Sequence, residues 1–318
     1  MKPPYTVTSD ILALVASISG KLGAIDAAHL QKPPATLRRK NRIRTIQSSL
    51  EIEGNTLTEE QITALLENKR VIAPKEDILE VQNAISVYER IGKFDPYNIK
   101  HLQEAHKILM RGLVDKPGMF RTKNVGIVKG SKVTHLAPGG AMVSGLLKDL
   151  FTYLKKDKDI ALIKSCVFHY EFEFIHPFSD GNGRMGRLWQ TVILVQQYPV
   201  FEYLPVERVV KERQKKYYEA LSLSDKEGAS TRFIEFMLTV IADALDELLR
   251  TQNKSLTAAD RVELFKDKIK DNEFSRKDYM LNYREISQAT ASRDLKWAVD
   301  EGILVRRGDK RLARYRYE

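Results

Sequence analysis

The chain has 318 residues, a formal net charge of +10 and one cysteine, Cys166. A single thiol excludes an internal disulfide and a cysteine-built zinc site, and it fits a reducing compartment. The length leaves room for two or three compact units, and the ordinary apolar content excludes a disordered chain. The positive charge suits polyanionic partners such as nucleotides or nucleic acid as well as it suits a merely basic surface.

The first helix is predicted from Ile11, behind the N-cap signal Thr8-Ser9-Asp10. Met1 to Asp10 carries two prolines and no apolar core of signal-peptide length. No uninterrupted apolar run reaches membrane-spanning length, so the expectation is a cytoplasmic protein with no membrane partner. Lys32-Pro33-Pro34 is a break. A second helix is expected from about Leu37 to Glu53, because Ile43, Ile46 and Leu50 recur at spacings of three and four and Gly54-Asn55 follows as a C-cap pair. Thr58 with Gln61 reads as a capping box that opens the next helix.

Between Pro117 and Pro138 the pattern changes: Val125, Ile127, Val128 and Val133 mix with Gly126, Gly130, Gly139 and Gly140, which predicts a small β-hairpin. Helical spacing resumes near Gly140, with apolar-rich stretches at Leu150–Phe172 and Leu188–Gln197 and two further helices over 206–250. Thr251 to Ser255 reads as a linker. Beyond it a helix is expected over Ala258–Ile269, shorter ones near Ser275–Met280 and Thr290–Glu301, and a hairpin from Ile303 to Tyr317 turning at Gly308-Asp309. Three helices and a terminal hairpin are the layout of a winged helix-turn-helix. The expected fold is therefore mostly α. It divides into an N-terminal helical region over 1–90 containing the helix at 37–54, a core over 91–250 with its small hairpin, and a winged helix-turn-helix domain over 256–318.

The chemistry concentrates in residues 176–187, His-Pro-Phe-Ser-Asp-Gly-Asn-Gly-Arg-Met-Gly-Arg. Gly181 and Gly183 flank Asn182 ahead of an apolar helix, and backbone N–H groups turned to one side at a helix N-terminus make an anion site. Arg184 and Arg187 lie three apart in the first turn and offer bidentate forks to phosphate oxygens. Asp180, a lone carboxylate at the lip, is suited to magnesium beside phosphates. His176 precedes Pro177, which predicts extended backbone off the helix, and its imidazole can accept a proton from an attacking hydroxyl. The run Gly181 to Gly186 also satisfies G-x-G-x-x-G, but a dinucleotide fold needs a strand before it and an acidic residue about 20 positions on. Neither is expected here.

These twelve residues resemble the Fic family signature, His-Pro-Phe-x-(Asp/Glu)-Gly-Asn-Gly-Arg-x-x-Arg, at every fixed position. The resemblance extends over about Tyr97 to Met237, through Leu102-Gln103-Glu104-Ala105-His106 and Gly118-Met119-Phe120-Arg121. It implies a Fic-type helical core and a protein adenylyltransferase that moves AMP from ATP to a Ser, Thr or Tyr hydroxyl of a target protein and of itself. In that role His176 is the general base, and Asp180 holds Mg²⁺ against the α- and β-phosphates. Gly181, Asn182 and Gly183 cradle the phosphates, Arg184 and Arg187 orient the β- and γ-phosphates, and Phe178 is structural. The hairpin at 123–133 becomes a flap that binds the target by strand addition. Tyr217 and Tyr218 stand where the family places its adenosine pocket, with Asp225 or a neighbour in place of the usual Asn.

Ser49-Leu-Glu-Ile-Glu53-Gly54 resembles the family's inhibitory motif, (Ser/Thr)-x-x-x-Glu-(Gly/Asn). The likeness implies that Glu53 pairs with Arg187 and leaves ATP in an unproductive pose. The same glutamate suits the reverse reaction, removal of AMP. Other readings remain open at this level. The donor can be another nucleotide, and the nucleotide site can act as the sensor of a DNA-binding regulator. Arg306, Arg307, Lys310, Arg311, Arg314 and Arg316 load the wing with charge, and Thr290, Ser292, Arg293 and Lys296 are expected to face out of the recognition helix. A homodimer is neither required nor excluded. His169 with Glu173, four apart, reads as helix packing rather than metal ligation. The run Arg38 to Arg44 reads as a solvated helix face.

Overall fold

The computed structural model describes residues 2–27, 35–129, 132–252, 257–270, 272–283, 286–309 and 313–318, and the backbone alone at 126–129, 132–136, 251, 252 and 267. Two compact units form: Met1–Lys32 with Lys40–Leu249, and Pro33–Arg39 with Arg250–Glu318. In chain order the elements up to the end of the first unit are α1 (Ser9–Ala27), α2 (Ala35–Ile52), α3 (Glu59–Leu66), α4 (Lys75–Tyr88), α5 (Ile99–Leu109), β1 (Gly126–Lys129), β2 (Lys132–Leu136), α6 (Val143–Lys156), α7 (Ala161–Ile175), α8 (Asn182–Gln197), α9 (Val206–Glu212), α10 (Gln214–Glu227) and α11 (Thr231–Gln252). The second unit adds α12 (Ala258–Ile269), α13 (Arg276–Asn282), α14 (Gln288–Asp300), β3 (Leu304–Arg307) and β4 (Arg314–Tyr317). The fold is mostly helical, as its periodicity predicts.

Local signals set several helix ends. Thr8 caps α1 by accepting the Ile11 N–H at 3.2 Å. Thr58 and Gln61 form the reciprocal capping box of α3. Gly54, at φ 103°, turns the chain after α2 through a conformation that glycine adopts without steric cost. On α2 the predicted stripe is inside: Ile43, Ile46 and Leu50 are buried.

The centre of the first unit is α8, packed beside α7 and buried on nearly every face from Arg184 to Leu194. Trp189, Phe168, Phe172 and Phe178 are fully enclosed around it. A helix buried all round that carries two arginines must find partners for them inside, because an unpaired charge in that setting is costly. That requirement shapes the site.

Three stretches differ from the spacing. Leu150–Phe172 is interrupted: α6 ends at Lys156 and α7 begins at Ala161. The charged Lys155–Asp159 run leaves the helix there, and the Tyr153 hydroxyl pins it by donating to Asp159 at 2.8 Å. Residues 206–250 hold three helices rather than two, because Arg213 (φ −116°, ψ 28°) and Gly228 (φ 62°) each break the ladder. Thr251 and Gln252 still belong to α11, so the expected linker starts later; 253–256, like the break at 32–34, lies outside the described residues.

In the second unit the predicted order of three helices and an antiparallel hairpin is observed, around Val262, Phe265, Phe274, Tyr279 and Leu295. Arg261 crosses this core and donates to both oxygens of Asp294 at 2.7 and 2.8 Å, with the Tyr279 hydroxyl donating to the same carboxylate at 3.3 Å. Removing one partner of such a pair strands the other charge. Asp294→Ala is therefore expected to destabilise this unit by about 3–5 kcal/mol. Hydrogen exchange checks it: amides of α12 and α14 should lose protection while those of α8 keep theirs.

Candidate active site

The loop between α7 and α8 carries the signature. His176 closes α7, its N–H donating to the Phe172 carbonyl at 3.0 Å, and it adopts φ 50°, ψ 62°. This corrects the expected extended backbone. Pro177 bars the right-handed helical region at His176, and a residue that terminates a helix often takes the left-handed one. For a non-glycine residue that conformation costs about 1–2 kcal/mol. Asn182 folds the loop on itself, accepting the Phe178 N–H at 2.9 Å and donating to the Phe178 carbonyl at 3.0 Å. Phe178 is buried, as expected, and stacks on His106 with ring centroids 3.6 Å apart. His106 in turn accepts the Gly118 N–H on Nδ1 at 2.8 Å, which leaves Nε2 to donate to the Asp180 carbonyl at 3.0 Å. Burial pushes the His106 pKa down to about 4, so this ring is neutral.

Both arginines are engaged. Arg187, 3% exposed, donates to Glu53 Oε1 at 2.7 Å, to the Ser49 carbonyl at 2.9 Å and from Nε to Ser49 Oγ at 3.2 Å. Burial works against its charge, and the Glu53 carboxylate more than offsets that. Behind it lies a second buried carboxylate, Glu207, pushed up to about 7 by burial and contacted by the Tyr88 hydroxyl. Arg184 pairs with Glu80 of α4 and with Asp180 at 3.2 Å. Asn55, directly after the α2 turn, donates to the other Glu80 oxygen at 2.8 Å. The Glu53 carboxylate also covers the glycine turn: a Cβ built on Gly183 would lie 2.5 Å from Glu53 Oε1 and 3.2 Å from an Arg187 nitrogen. An internal anion thus rests against the backbone and the arginine that the sequence marked for an anion.

The fold and this geometry agree with known proteins. The model of the Fic/DOC family matches residues 96–194. A crystallised Fic family protein from Desulfovibrio desulfuricans G20 is 42% identical, covering 100% of this chain and 98% of that one, at a TM-score of 0.77. This chain belongs to the Fic family. Proteins named protein adenylyltransferase Fic match it at 30% identity over 247 residues in Drosophila willistoni (73% of this chain, 47% of that protein) and at 31% over 216 residues in Culex quinquefasciatus (64% and 41%). The chain spans about half the length of these curated relatives. Fic-1 of C. elegans, at 21% identity and a TM-score of 0.62, shares the fold.

Within this Fic protein the remaining predicted residues are placed unevenly. Tyr217 is 1% exposed, and its hydroxyl bonds His169 Nε2 at 3.0 Å, so its ring belongs to the core. Tyr218, packed edge-on against it, is half-buried. Asp225 accepts the Tyr170 hydroxyl at 3.0 Å. His169 is fully buried between Tyr217 and Gln190, which matches the packing reading. Asp180 has a side chain 61% exposed, and its contacts with Gly181 N and Arg184 both fall on Oδ1. Among the described residues no group of three or more acidic, His or Cys side chains stands ready for a metal, so a cation here would need phosphate and water as its other ligands. That fits a lone carboxylate. No strand precedes Gly181; α7 does, which removes the dinucleotide reading.

Four residues that matter to this site escaped sequence reasoning in these roles: Asn55, Glu80, His106 and Arg121. Each acts through a partner far along the chain, and none carries a local spacing signal. The resemblance flagged the runs holding His106 and Arg121 without assigning either a task.

Proposed function

We propose that this Fic protein is an adenylyltransferase that moves AMP from ATP to a Ser, Thr or Tyr hydroxyl of a target protein and of itself, and that Glu53 holds it inactive. The observation that carries the reading is the Glu53 carboxylate resting against Gly183 and Arg187. A group that attracts an internal anion so closely suits the terminal phosphate of a nucleotide, and occupancy by one obstructs the other.

In the reaction the His176 imidazole takes the proton of the attacking hydroxyl. The oxygen bonds to the α-phosphorus, the bond from that phosphorus to the α,β-bridging oxygen breaks, and pyrophosphate leaves with the electron pair. Backbone N–H groups at the start of α8 receive the departing charge, and Arg187, once released by Glu53, and Arg184 hold it in line. Asp180 would hold Mg²⁺, which when bound neutralises phosphate oxygens. Tyr218, with Tyr217 behind it, is the proposed wall of the base pocket. The hairpin β1–β2 is a lone antiparallel pair, Gly126 opposite Leu136 and Lys129 opposite Lys132, and it supports target docking by strand addition.

We assign the second unit a winged helix-turn-helix topology. Observations there do not favour nucleic acid over other partners. Arg306 pairs with Asp309, Arg307 with Glu273 and Arg314 with Asp278, while Arg293, Lys296 and Arg316 are exposed. Lys310 and Arg311 lie outside the described residues.

The test is a nucleotide panel. Glu53→Gly protein is incubated with Mg²⁺ and each of ATP, GTP, CTP and UTP, and its intact mass is measured. An AMP-sized adduct from ATP is expected. An adduct from another nucleotide alone reassigns the donor, and none from any nucleotide ends the transferase reading.

A further inference from the structure

His176 occupies a left-handed backbone conformation that a non-glycine residue does not hold unaided. The contacts around it identify what holds it. Arg121, 7% exposed, donates from Nε to the His176 carbonyl at 2.6 Å and from Nη2 to the Ile175 carbonyl at 2.9 Å. Its own backbone N–H donates to the Pro177 carbonyl at 2.9 Å. The same guanidinium reaches the hairpin's two flanks, donating from Nη1 to the Lys123 carbonyl at 2.8 Å and from Nη2 to the Pro138 carbonyl at 2.8 Å. Those flanks are drawn together independently: Asn124 accepts the Gly140 N–H at 3.0 Å, and a Cβ on Gly140 would fall 2.1 Å from the Thr122 carbonyl oxygen.

Every acceptor named is a neutral carbonyl. A guanidinium buried in this way is held by geometry rather than by an opposite charge, since its donors form a rigid planar fork. Three successive residues of the signature loop and both roots of the hairpin are thereby tied to one plane. The direction of the Cα–Cβ bond at His176 follows from its peptide planes, and two of those are in the tie.

We propose that Arg121 is the positioning residue of the active site, fixing the backbone of His176 against the roots of the flap, so that the proton-accepting ring and the segment that receives the target keep one register. This rests on the adenylyl-transfer reading. Arg121 touches neither nucleotide nor target; it acts through the His176 backbone. Lysine cannot replace it, because one ammonium group has no fork to span four carbonyls.

The experiment compares Glu53→Gly with Glu53→Gly/Arg121→Lys, and with Arg121→Gln as a second substitution. The turnover number for AMP incorporation should fall about a hundredfold, the loss that displacement of a reacting group by roughly 1 Å brings. Affinity for ATP, titrated directly, should change less than about threefold, since the phosphate cradle is on α8. In parallel, hydrogen exchange at 175–182 and at 122–125 should rise together in both Arg121 variants. Unchanged turnover overturns the proposal, as does a matched loss of ATP affinity and turnover, which marks a merely structural arginine. If neither variant folds, Arg121 is a core residue and the proposal fails. Should the Glu53→Gly parent incorporate no AMP, the transferase reading is what has failed. The exchange data still decide the tie, and protection that stays unchanged or falls in one segment alone refutes it.

Discussion

Glu53→Gly is expected to raise AMP incorporation by roughly ten- to a hundredfold. The estimate rests on one charge-assisted hydrogen bond, worth about 1.5–3 kcal/mol, where each 1.4 kcal/mol is a factor of ten. The contact is the 2.7 Å bond from Arg187 to Glu53. Losing it leaves a guanidinium that is 3% exposed with only Ser49 as its remaining inhibitory-segment partner, at 2.9 and 3.2 Å. Phosphate oxygens then become its best available acceptors. Glycine suits the site sterically because α2 has already ended at Ile52. Two assays check the expectation: labelled-ATP incorporation, and the thermal stabilisation produced by saturating ATP, which should be larger in the variant than in the parent. Incorporation that stays at the parent level refutes the inhibitory role of Glu53. Loss of AMP from a pre-modified target, faster with Glu53 present, would assign the glutamate to the reverse reaction.

His176→Ala is expected to lower the turnover of the Glu53→Gly protein by about 10²–10⁴-fold, the usual contribution of a positioned general base. Nucleotide affinity should persist, because the cradle consists of backbone N–H groups at α8 and of two arginines, with the imidazole on the other side of the Asn182 turn in sequence. Alanine also leaves the Arg121 tie intact, since that tie grips the carbonyl of residue 176 and not its ring. The variant therefore separates chemistry from assembly. Intact mass gives the first and ATP titration the second. Turnover within tenfold of the parent would move the base elsewhere.

Much of the local architecture is legible from short-range pattern. The capping box at Thr58 and Gln61, the stripe of Ile43, Ile46 and Leu50, and the glycine turn before α8 involve residues within a few positions of one another. Spacing alone did not reveal the break at Arg213 or the gap between α6 and α7, where charged runs continue a helical rhythm that the backbone abandons. It also misjudged His176, because the rule for residues before proline favours extended backbone while the end of α7 imposed a left-handed turn.

The site divides along the same line. The contiguous run from His176 to Arg187 determines by itself which chemical groups are present and that they suit a phosphorylated donor, since their spacing is covalent and their helix start is local. Its pairing partners are another matter. Glu53 meets Arg187 across 134 residues, Glu80 meets Arg184 across 104, and His106 meets Asp180 across 74. Only the packing of α2, α4 and α5 against α8 decides those meetings. Each buried charge or strained peptide must be satisfied by whichever groups that packing delivers, and no linear spacing encodes which ones arrive.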